Sequence, residues 1–296
     1  MKNIALILNY NNADEVITLV NTIGRYADLD QIVIVDNAST DNSAFKMQNE
    51  FSESNNIIIL RSPVNGGYSQ GNNEGLRYIW EDYKDEDAVV FIINPDVYVS
   101  NFGIKRLSEY VRTIDNVGLV SGLLTKKRDI ENPNAWRLLN PLHTAFIQSN
   151  IFQKMFRSVY RKQYYYSLDD VPSTKIVPVD VILGAFFAIK LSTFEKLGFF
   201  DDDTFLYSEE DILALRIQKL GLQSYIVPEV SFEHIGGSST GNSLSNFKVK
   251  QLKYKSFIIF AKKYKKEKWT SIIAIRLIWC ANLAYTWLGI KMRGVK

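Results

Sequence analysis

The sequence predicts an α/β protein whose central sheet is mostly parallel and flanked by helices. Four short runs rich in β-branched residues each end in polar or turn residues, and stretches of helical character separate them. Strands that alternate with helices are typical of βαβ units, whose sheets are buried on both faces. The hydrophobic share of 46% and the charged share of 23% in 296 residues are those of a globular chain with a large core.

The first four strands are predicted within residues 1–100. In chain order the apolar runs are IALILNY, QIVIVDN, NIIILRS and AVVFIIN. Helices are expected between them, for example over Ala13 to Tyr26 and Asn72 to Tyr83. In such sheets ligands bind beyond the carboxyl ends of the strands, so the residues just after each run are the ones expected to carry function.

A second organisation is expected over residues 101–247. A helix is predicted for residues 104–113, a strand for VGLVSGLL, and a long irregular polar and aromatic stretch for residues 126–178. The run VPVDVILGAFFAIK predicts a strand with a close backbone approach at Gly184. An acidic loop then leads into a helix that Gly221 closes, and a last strand precedes GGSST.

Cysteine and histidine usage excludes several classes of protein. The single Cys280 cannot close an internal disulfide, and His143 and His234 are too few to complete a Cys/His zinc site. Neither a GxGxxG opening a helix after a strand nor a GxxxxGK[ST] occurs, so a Rossmann dinucleotide site and a P-loop are poor fits. The first apolar run lacks the features of a signal peptide, and we expect a chain that faces the cytosol.

Basic residues are concentrated at the end of the sequence. From Lys248 onward there are 13 Lys and Arg residues against Glu267, which gives this segment a charge of +12 and the rest −9. The apolar stretch from Trp269 to Ile290 favours an anionic membrane surface as the partner, and no nucleic acid is expected. Two alternatives remain: a helix packed on the domain with a solvated lysine face, and a single span containing Arg276.

Carboxylates, amides and glycines follow all four predicted strands. They are Asn9, Tyr10 and Asn11, then Asp36 to Asp41, then Asn65 to Asn73, and finally Asn94 to Asp96. A carboxylate such as Asp96 after a buried strand suits a divalent ion that bridges a diphosphate. Each segment alone also fits a turn or a helix N-cap.

Three adjacent acidic residues, Glu209, Glu210 and Asp211, stand at a predicted helix start. Their mutual repulsion can hold one of them near the pKa of a working general base, although a helix N-terminus also tolerates acidic residues. His234, between a strand and GGSST, is either a metal ligand or a turn histidine.

The order of these motifs resembles the family-2 inverting glycosyltransferases of the GT-A fold, in particular the bacterial rhamnosyltransferase-like members. The resemblance runs over about residues 3 to 240 through VDNASTDNS, NGGYSQGNN, NPDV, GAFFAIK, FLYSEED and the histidine before GGSS. It implies a nucleotide-sugar half over residues 1–100, an acceptor-binding and catalytic half over residues 101–247, and a C-terminal helical appendage over residues 248–296.

The resemblance also implies the site. Asp96 and His234 would bind Mn²⁺ or Mg²⁺, Asp36 would contact the base or ribose, and Glu210 would be the base, with Glu209 and Asp211 beside it. The donor site would comprise Asn9, Tyr10, Asn11, Asp36, Asn37, Ser39, Asn65, Gly66, Gly67, Asn72, Asn94 and Asp96. Two departures from the family pattern are Asn94 in place of the first acidic residue of DxD, and Glu210 where Asp is commoner.

The expected reaction is a single displacement at the anomeric carbon of a nucleotide sugar, with dTDP- or UDP-sugars as first donors. The acceptor would be a saccharide or lipid-linked saccharide of a bacterial surface polysaccharide at the inner face of the membrane. Residues 126–178, with Trp136, would bind this acceptor and close over it. A nucleotidyltransferase would need basic residues after the first strand, and a glycoside hydrolase would not need the four strand-end motifs. A non-catalytic sugar-nucleotide or carbohydrate binding module is the remaining alternative.

Overall fold

The computed structural model describes residues 2–84, 87–125, 134–168, 171–235 and 246–292. Strands and helices alternate in its first part: β1 (Lys2–Asn9), α1 (Ala13–Ile23), β2 (Gln31–Asp36), α2 (Ser43–Glu50), β3 (Ile57–Arg61), α3 (Gly67–Tyr83) and β4 (Ala88–Ile93). The four strands pair in parallel in the order β3-β2-β1-β4. This confirms the α/β class that the alternation of apolar runs and helical stretches predicts.

The middle of the chain extends the sheet and adds short helices. Its elements are β5 (Val97–Val99), α4 (Asn101–Thr113), β6 (Val117–Leu124), β7 (Ala135–Trp136), α5 (Pro141–Ile147), α6 (Asn150–Met155), α7 (Arg157–Tyr164), β8 (Val177–Val179), β9 (Val181–Ile182), β10 (Phe186–Lys190), α8 (Leu191–Lys196), α9 (Glu209–Lys219) and β11 (Gln223–His234). The sheet continues beyond β4 in the order β10-β6-β11-β5, and β8 pairs with β11.

The prediction of a mostly parallel sheet holds for the first four strands and for the pair β6 and β11, and the remaining pairs of the sheet are antiparallel. Strand β10 runs antiparallel to both β4 and β6, and β5 and β8 run antiparallel to β11. Among these later pairs only β6 and β11 are parallel.

Both faces of the sheet are covered, and this explains the continuous apolar runs. In β1, Ala5 and Ile7 belong to the core cluster on one face, while Ile4 and Leu6 belong to the cluster on the other. All six residues of β4 are buried. A strand buried on both faces has no solvent side and so shows no alternation of polar and apolar residues.

The stretch from residue 126 to 178 is not irregular in its described part. Residues 134–168 form β7 and the three helices α5, α6 and α7. The side chain of Asn140 caps α5, in which Pro141 occupies the first turn, and Ser149 caps α6. Helices of six to eight residues are too short to show an apolar period, so their stability depends on packing that the sequence does not display. Residues 126–133 lie outside the described residues.

Two helices joined by a π-helical turn make up the C-terminal segment: α10 (Asn246–Ile259), the turn (Phe260–Tyr264) and α11 (Trp269–Met292). Ile272, Ile275 and Trp279 of α11 are buried in one cluster with residues of α5 and α9, so α11 packs on the domain. Among the helices that the structure describes, none combines the length and the apolar character needed to cross a bilayer.

Candidate functional site

Side chains at the carboxyl ends of β1 and β2 form one hydrogen-bonded cluster. Asn9 and Asp36 are register partners, and Asn9 Nδ2 donates to Asp36 Oδ1 at 2.9 Å and to Ser39 Oγ at 3.1 Å. The backbone N–H of Asn11 donates to the same hydroxyl at 2.9 Å. Asn9, Asp36 and Ser39 are buried, so they order this loop, whereas Tyr10 is half-buried and Asn11 is exposed.

Asn37 connects this cluster to the loop after β3. Its Nδ2 donates to Asn65 Oδ1 at 3.1 Å and to the Gly67 carbonyl at 3.0 Å, and its Oδ1 accepts the N–H of Gly66 at 3.3 Å. Gly67 has φ +78°, and a Cβ there would lie 2.0 Å from the carbonyl oxygen of Phe205. Only glycine fits this backbone conformation and this close approach.

Tyr68 links the same loop to residues 184 and 205, much later in the chain. Its N–H donates to the Phe205 carbonyl at 2.7 Å, and its hydroxyl donates to the Gly184 carbonyl at 2.6 Å. Asn72 Nδ2 donates to the Tyr68 carbonyl at 2.9 Å, while Asn72 Oδ1 is buried and has no hydrogen-bond partner among the described residues. The resemblance implies a donor-site role for Asn72 and none for Tyr68, although Tyr68 lies within the same NGGYSQGNN motif.

The three acidic residues stand in the first turn of α9, as predicted. Tyr207 and Ser208 adopt left-handed backbone conformations with φ +70° and +65°, and they turn the chain sharply into the helix. Glu209 is only 4% exposed, and its Oε2 has no hydrogen-bond partner in the described part of the chain. Burial raises the pKa of Glu209 well above its usual range, and the charge of Glu210 adds to the effect.

Glu210 and Asp211 differ in the groups that they contact. Glu210 Oε1 accepts the N–H of Gly184 at 3.3 Å, and burial, followed by the charge of Asp211, raises the pKa of Glu210 to about 7. Asp211 Oδ1 accepts the indole N–H of Trp136 at 2.9 Å. Burial raises the pKa of Asp211 as well, but the Trp136 bond opposes that rise. Glu210 is therefore the carboxylate poised to exchange a proton near neutral pH.

A half-buried lysine from the C-terminal segment lies near the carboxylates of this turn. Burial lowers the pKa of Lys253 on α10, and the charges of Asp211 and Glu210 oppose that shift. The charge of Lys253 in turn lowers the pKa of Glu210 and the pKa of Asp211. The sequence indicates only a surface-binding tail for this lysine, because it is one of thirteen Lys and Arg residues in the segment.

Asp96 and His234 come together although 138 positions separate them in the chain. Strand β11 pairs antiparallel with β5 so that His234 is opposite Val97, and His234 Nε2 lies 3.2 Å from Asp96 Oδ1. His234 Nδ1 is buried without a hydrogen-bond partner among the described residues. No group of three His, Cys, Asp or Glu residues with metal-binding geometry is found in the described ranges. The pair of Asp96 and His234 is the metal site that the resemblance implies.

The turn at Gly184 and Ala185 brings the separate motifs to one place. The Ala185 carbonyl accepts the N–H of Asn94 at 2.8 Å, and Gly184 contacts both Tyr68 and Glu210. A Cβ at Gly184 would lie 2.9 Å from Glu210 Oε1. The loop after β3, the loop after β4 and the start of α9 therefore share one site at the carboxyl edge of the sheet.

The fold is that of the GT-A glycosyltransferases. A mannosyltransferase from Pyrobaculum calidifontis, solved with GDP-Man and Mn²⁺, matches with a TM-score of 0.60 at 16% identity over 100% of this chain and 76% of its own. GalNAc-T7, solved with UDP, GalNAc and Mn²⁺, matches with a TM-score of 0.59 at 13% identity over 79% of this chain and 44% of its own.

Within this class the chain belongs to glycosyl transferase family 2, whose domain matches residues 5–174. The low-salt glycan biosynthesis hexosyltransferase Agl10 of Haloferax volcanii is 24% identical over 216 residues, 72% of this chain and 61% of the relative. The rhamnosyltransferase WbbL of Escherichia coli is 26% identical over 55% of this chain and 58% of its own. The chain thus spans about three fifths of the length of these two relatives.

The name of a third relative states the acceptor of that relative. The N-acetylglucosaminyl-diphospho-decaprenol L-rhamnosyltransferase of Mycobacterium tuberculosis is 25% identical over 218 residues, 71% of this chain and 68% of its own. The resemblance that the sequence motifs predict is confirmed at the level of family and fold. Glu210 and His234 lie beyond the residues that match the family domain.

Proposed function

We propose that this protein transfers a sugar from a nucleotide-diphosphate sugar to a hydroxyl of a saccharide or lipid-linked saccharide acceptor, with inversion at the anomeric carbon. The observation that carries the proposal is Glu210, a carboxylate with its pKa raised to about 7, held against Gly184 in a family-2 fold. A sugar hydroxyl is too weak an acid to ionise unaided, and a carboxylate near neutrality can take its proton during attack.

The proposed base is Glu210, and its two acidic neighbours have other tasks. Asp211 has one oxygen engaged by Trp136, and Glu209 is buried. The N–H of Gly184 holds one oxygen of Glu210, so the other oxygen remains for the acceptor hydroxyl. The charge of Asp211 raises the proton affinity of Glu210, and the carboxylate of Asp211 also positions Trp136 beside it.

Asp96 and His234 are proposed to hold a divalent cation, Mn²⁺ or Mg²⁺. Adjacent ligands of an octahedral ion with bonds of ~2.1 Å lie about 3 Å apart, and Asp96 Oδ1 and His234 Nε2 are 3.2 Å apart. The oxygen and imidazole donors suit Mn²⁺, and the Mn²⁺ in two similar solved structures supports the choice. When bound, such an ion stabilises the charge that develops on the leaving diphosphate.

The donor nucleotide is proposed to lie along the loops after β1, β2 and β3. Tyr10 and Asn11 are accessible there, and the buried Asn9, Asp36 and Ser39 fix their backbone. A contact of Asp36 with the base or ribose stays a prediction, because its carboxylate is 0% exposed and bonded to Asn9. Rhamnose from dTDP-rhamnose is the first donor to test, since two relatives are named rhamnosyltransferases; UDP- and GDP-sugars follow.

The acceptor is proposed to be a membrane-held intermediate of a surface polysaccharide or glycan. One relative is named for a diphospho-decaprenol acceptor, and another for glycan biosynthesis. A chain that works on such an acceptor would sit peripherally on the inner face of the membrane, with residues 248–296 and their charge of +12 against anionic lipid.

Calorimetric titration tests the nucleotide and metal sites. We would titrate dTDP, UDP, GDP and CDP, each with Mn²⁺ and with a chelator, into the wild type and Asp96→Ala. Tight, metal-dependent binding of one nucleotide that Asp96→Ala abolishes is expected. Asp30→Ala, just before β2 at the opposite edge of the sheet, is the matched control and should bind as the wild type does. Metal-independent binding that survives Asp96→Ala would contradict the proposed metal site.

A transfer assay separates an enzyme from a binding module. Glu210→Gln should abolish transfer while nucleotide binding by calorimetry stays intact. If the wild type binds a nucleotide sugar but neither transfers its sugar nor hydrolyses it, the non-catalytic binding module becomes the better description.

A further inference from the structure

Five large apolar side chains on the α5 to α7 segment point into solvent. Their exposed fractions lie between 41% and 66%, and they are Phe146, Ile151, Met155, Phe156 and Val159. The rings form a row, since Phe152 lies 5.1 Å from Phe146 and 5.2 Å from Phe156 between ring centroids. Contiguous exposed apolar surface of this kind marks an interaction site.

Helix α11 carries a second apolar face besides the one that packs on the domain. Trp269, Ile273 and Leu277 follow one another at intervals of four residues and are 74%, 47% and 65% exposed. This spacing places them on one side of the helix. Farther along, Tyr285 and Trp287 are 48% and 53% exposed.

The two segments that carry these faces are in contact. The backbone N–H of Asn150 at the start of α6 donates to Asn282 Oδ1 of α11 at 2.9 Å, and Asn150 Nδ2 donates to the Asn282 carbonyl at 3.3 Å. Ala145 of α5 is buried in the same cluster as Ile275 of α11. We call these faces together the outer apolar surface. It comprises Phe146, Ile151, Met155, Phe156, Val159, Trp269, Ile273, Leu277, Tyr285 and Trp287.

The segments that carry the outer apolar surface have almost only basic side chains among their charged residues, although Lys253 and Lys263 face carboxylates of the domain. Residues 141–168 contain no Asp or Glu, and their basic residues Lys154, Arg157, Arg161 and Lys162 are exposed. Residues 246–292 contain eleven Lys and Arg and the single acidic Glu267. A second copy of this chain would bring the same positive charge, whereas an anionic bilayer offers the opposite charge together with an apolar interior.

We propose that the outer apolar surface docks the protein on an anionic lipid bilayer, with the α5 to α7 segment entering the interface beside α11. The inference rests on the membrane-held acceptor of the proposed function and adds a second membrane contact outside residues 248–296. Exposed Phe and Trp side chains enter the acyl boundary, and the surrounding Lys and Arg residues pair with lipid phosphates.

The same segment leads from this surface to the acidic turn. Helix α7 exposes Val159 but buries Tyr160 and Tyr164, whose rings are stacked 5.8 Å apart. Tyr164 also stacks on Trp136 at 6.5 Å, and Trp136 donates to Asp211. Docking through α7 therefore brings the acidic turn close to the bilayer, where the diphosphate end of a lipid-linked acceptor lies.

Vesicle sedimentation tests the proposal on the full-length chain. The probe is vesicles of phosphatidylglycerol and phosphatidylcholine in equal parts, with pure phosphatidylcholine vesicles for comparison. The triple variant Ile151→Gln, Met155→Gln and Val159→Gln should bind the anionic vesicles about tenfold more weakly or worse, because three inserted apolar side chains are lost. The matched control Phe45→Gln with Phe102→Gln removes two exposed rings from α2 and α4, 66% and 53% exposed, and should bind as the wild type does.

Two further measurements separate the outcomes. Amide hydrogen exchange of the wild type should slow within residues 146–159 when anionic vesicles are added. Transfer by the wild type to a water-soluble acceptor is measured without vesicles, and nucleotide binding should be unchanged in the triple variant, so a failure of the proposed activity is seen separately from a failure of docking. Unchanged vesicle affinity of the triple variant, or unchanged exchange in residues 146–159, would overturn the inference. So would a triple variant that loses only self-association in sedimentation equilibrium.

Discussion

With Glu210 as the proposed base, its pKa makes the rate of transfer depend on pH across neutrality. Burial and the charge of Asp211 raise this pKa from 4.5 to about 7, and the ionised form accepts the proton. The ionised fraction is then about 0.1 at pH 6 and about 0.9 at pH 8. We expect kcat to rise about tenfold over this range and to fall as pH drops below 7.

The neighbouring carboxylate provides a test of the cause. Asp211→Asn removes a negative charge that raises the pKa of Glu210, so the rise in kcat should move to lower pH. Glu210→Gln removes the base, and kcat should drop by roughly 10²- to 10⁴-fold at pH 8. The assay is steady-state release of nucleoside diphosphate at saturating donor and acceptor, with nucleotide binding measured at each pH.

Two results would refute this reasoning. The first is a kcat that stays constant from pH 6 to pH 8 while chemistry limits the rate. The second is an Asp211→Asn profile that moves toward higher pH, because loss of a negative neighbour must lower the proton affinity of Glu210. An Asp211→Asn variant as inactive as Glu210→Gln would instead assign the base to Asp211.

Three further predictions concern stability. Gly67→Ala should lower the free energy of unfolding by about 3 kcal/mol or more in urea denaturation, because its Cβ would meet a carbonyl oxygen at 2.0 Å. The control Gly221→Ala, with φ +71° and nothing within 4 Å of the new Cβ, should lower it by only about 1 kcal/mol. Equal losses in the two variants would contradict the steric clash at Gly67. Trp136→Phe keeps an aromatic ring but removes the N–H that donates to Asp211, and it should lower the free energy of unfolding by about 2 kcal/mol at pH 8. An unchanged free energy would mean that this hydrogen bond contributes little to stability. Folding raises the pKa of Glu210 from 4.5 to about 7, so this group costs up to about 3 kcal/mol of stability as pH rises through that window. Glu210→Gln should therefore be more stable than the wild type at pH 8 and nearly equal to it at pH 4.5. A variant that is less stable than the wild type at pH 8 would contradict the argument that burial raises this pKa.

The sequence was most informative about the fold where local pattern and burial coincide. Strands β1 to β4 are continuous apolar runs because both faces of the sheet are covered, so their positions could be predicted. The place of β10 between β4 and β6 could not, since nothing in FFAIK identifies its neighbours. Helices α5 to α7 were also missed, because each is shorter than the period needed to recognise it.

The candidate site was predictable as a set of motifs and not as a set of contacts. Asp96 and His234 were each visible as possible ligands, but only the pairing of β11 with β5 brings them within 3.2 Å. Trp136 was predicted to bind the acceptor, and the structure bonds it to Asp211. The contact of Tyr68 could not be predicted from the sequence, because its hydroxyl donates to the Gly184 carbonyl 116 residues away.

The position of β10 also affects how the chain folds as it is synthesised. Strand β4, apolar throughout, pairs with β1 on one side and with β10 on the other. Strand β10 is synthesised much later than β1 and β4. About 93 residues separate the end of β4 from the start of β10, which corresponds to roughly 5 to 20 s of translation. During that interval β4 is an unprotected apolar edge, the kind of strand that recruits other chains. Ribosome-bound chains that end before residue 186 should therefore recruit chaperones, and release of β10 from the ribosome should end that recruitment.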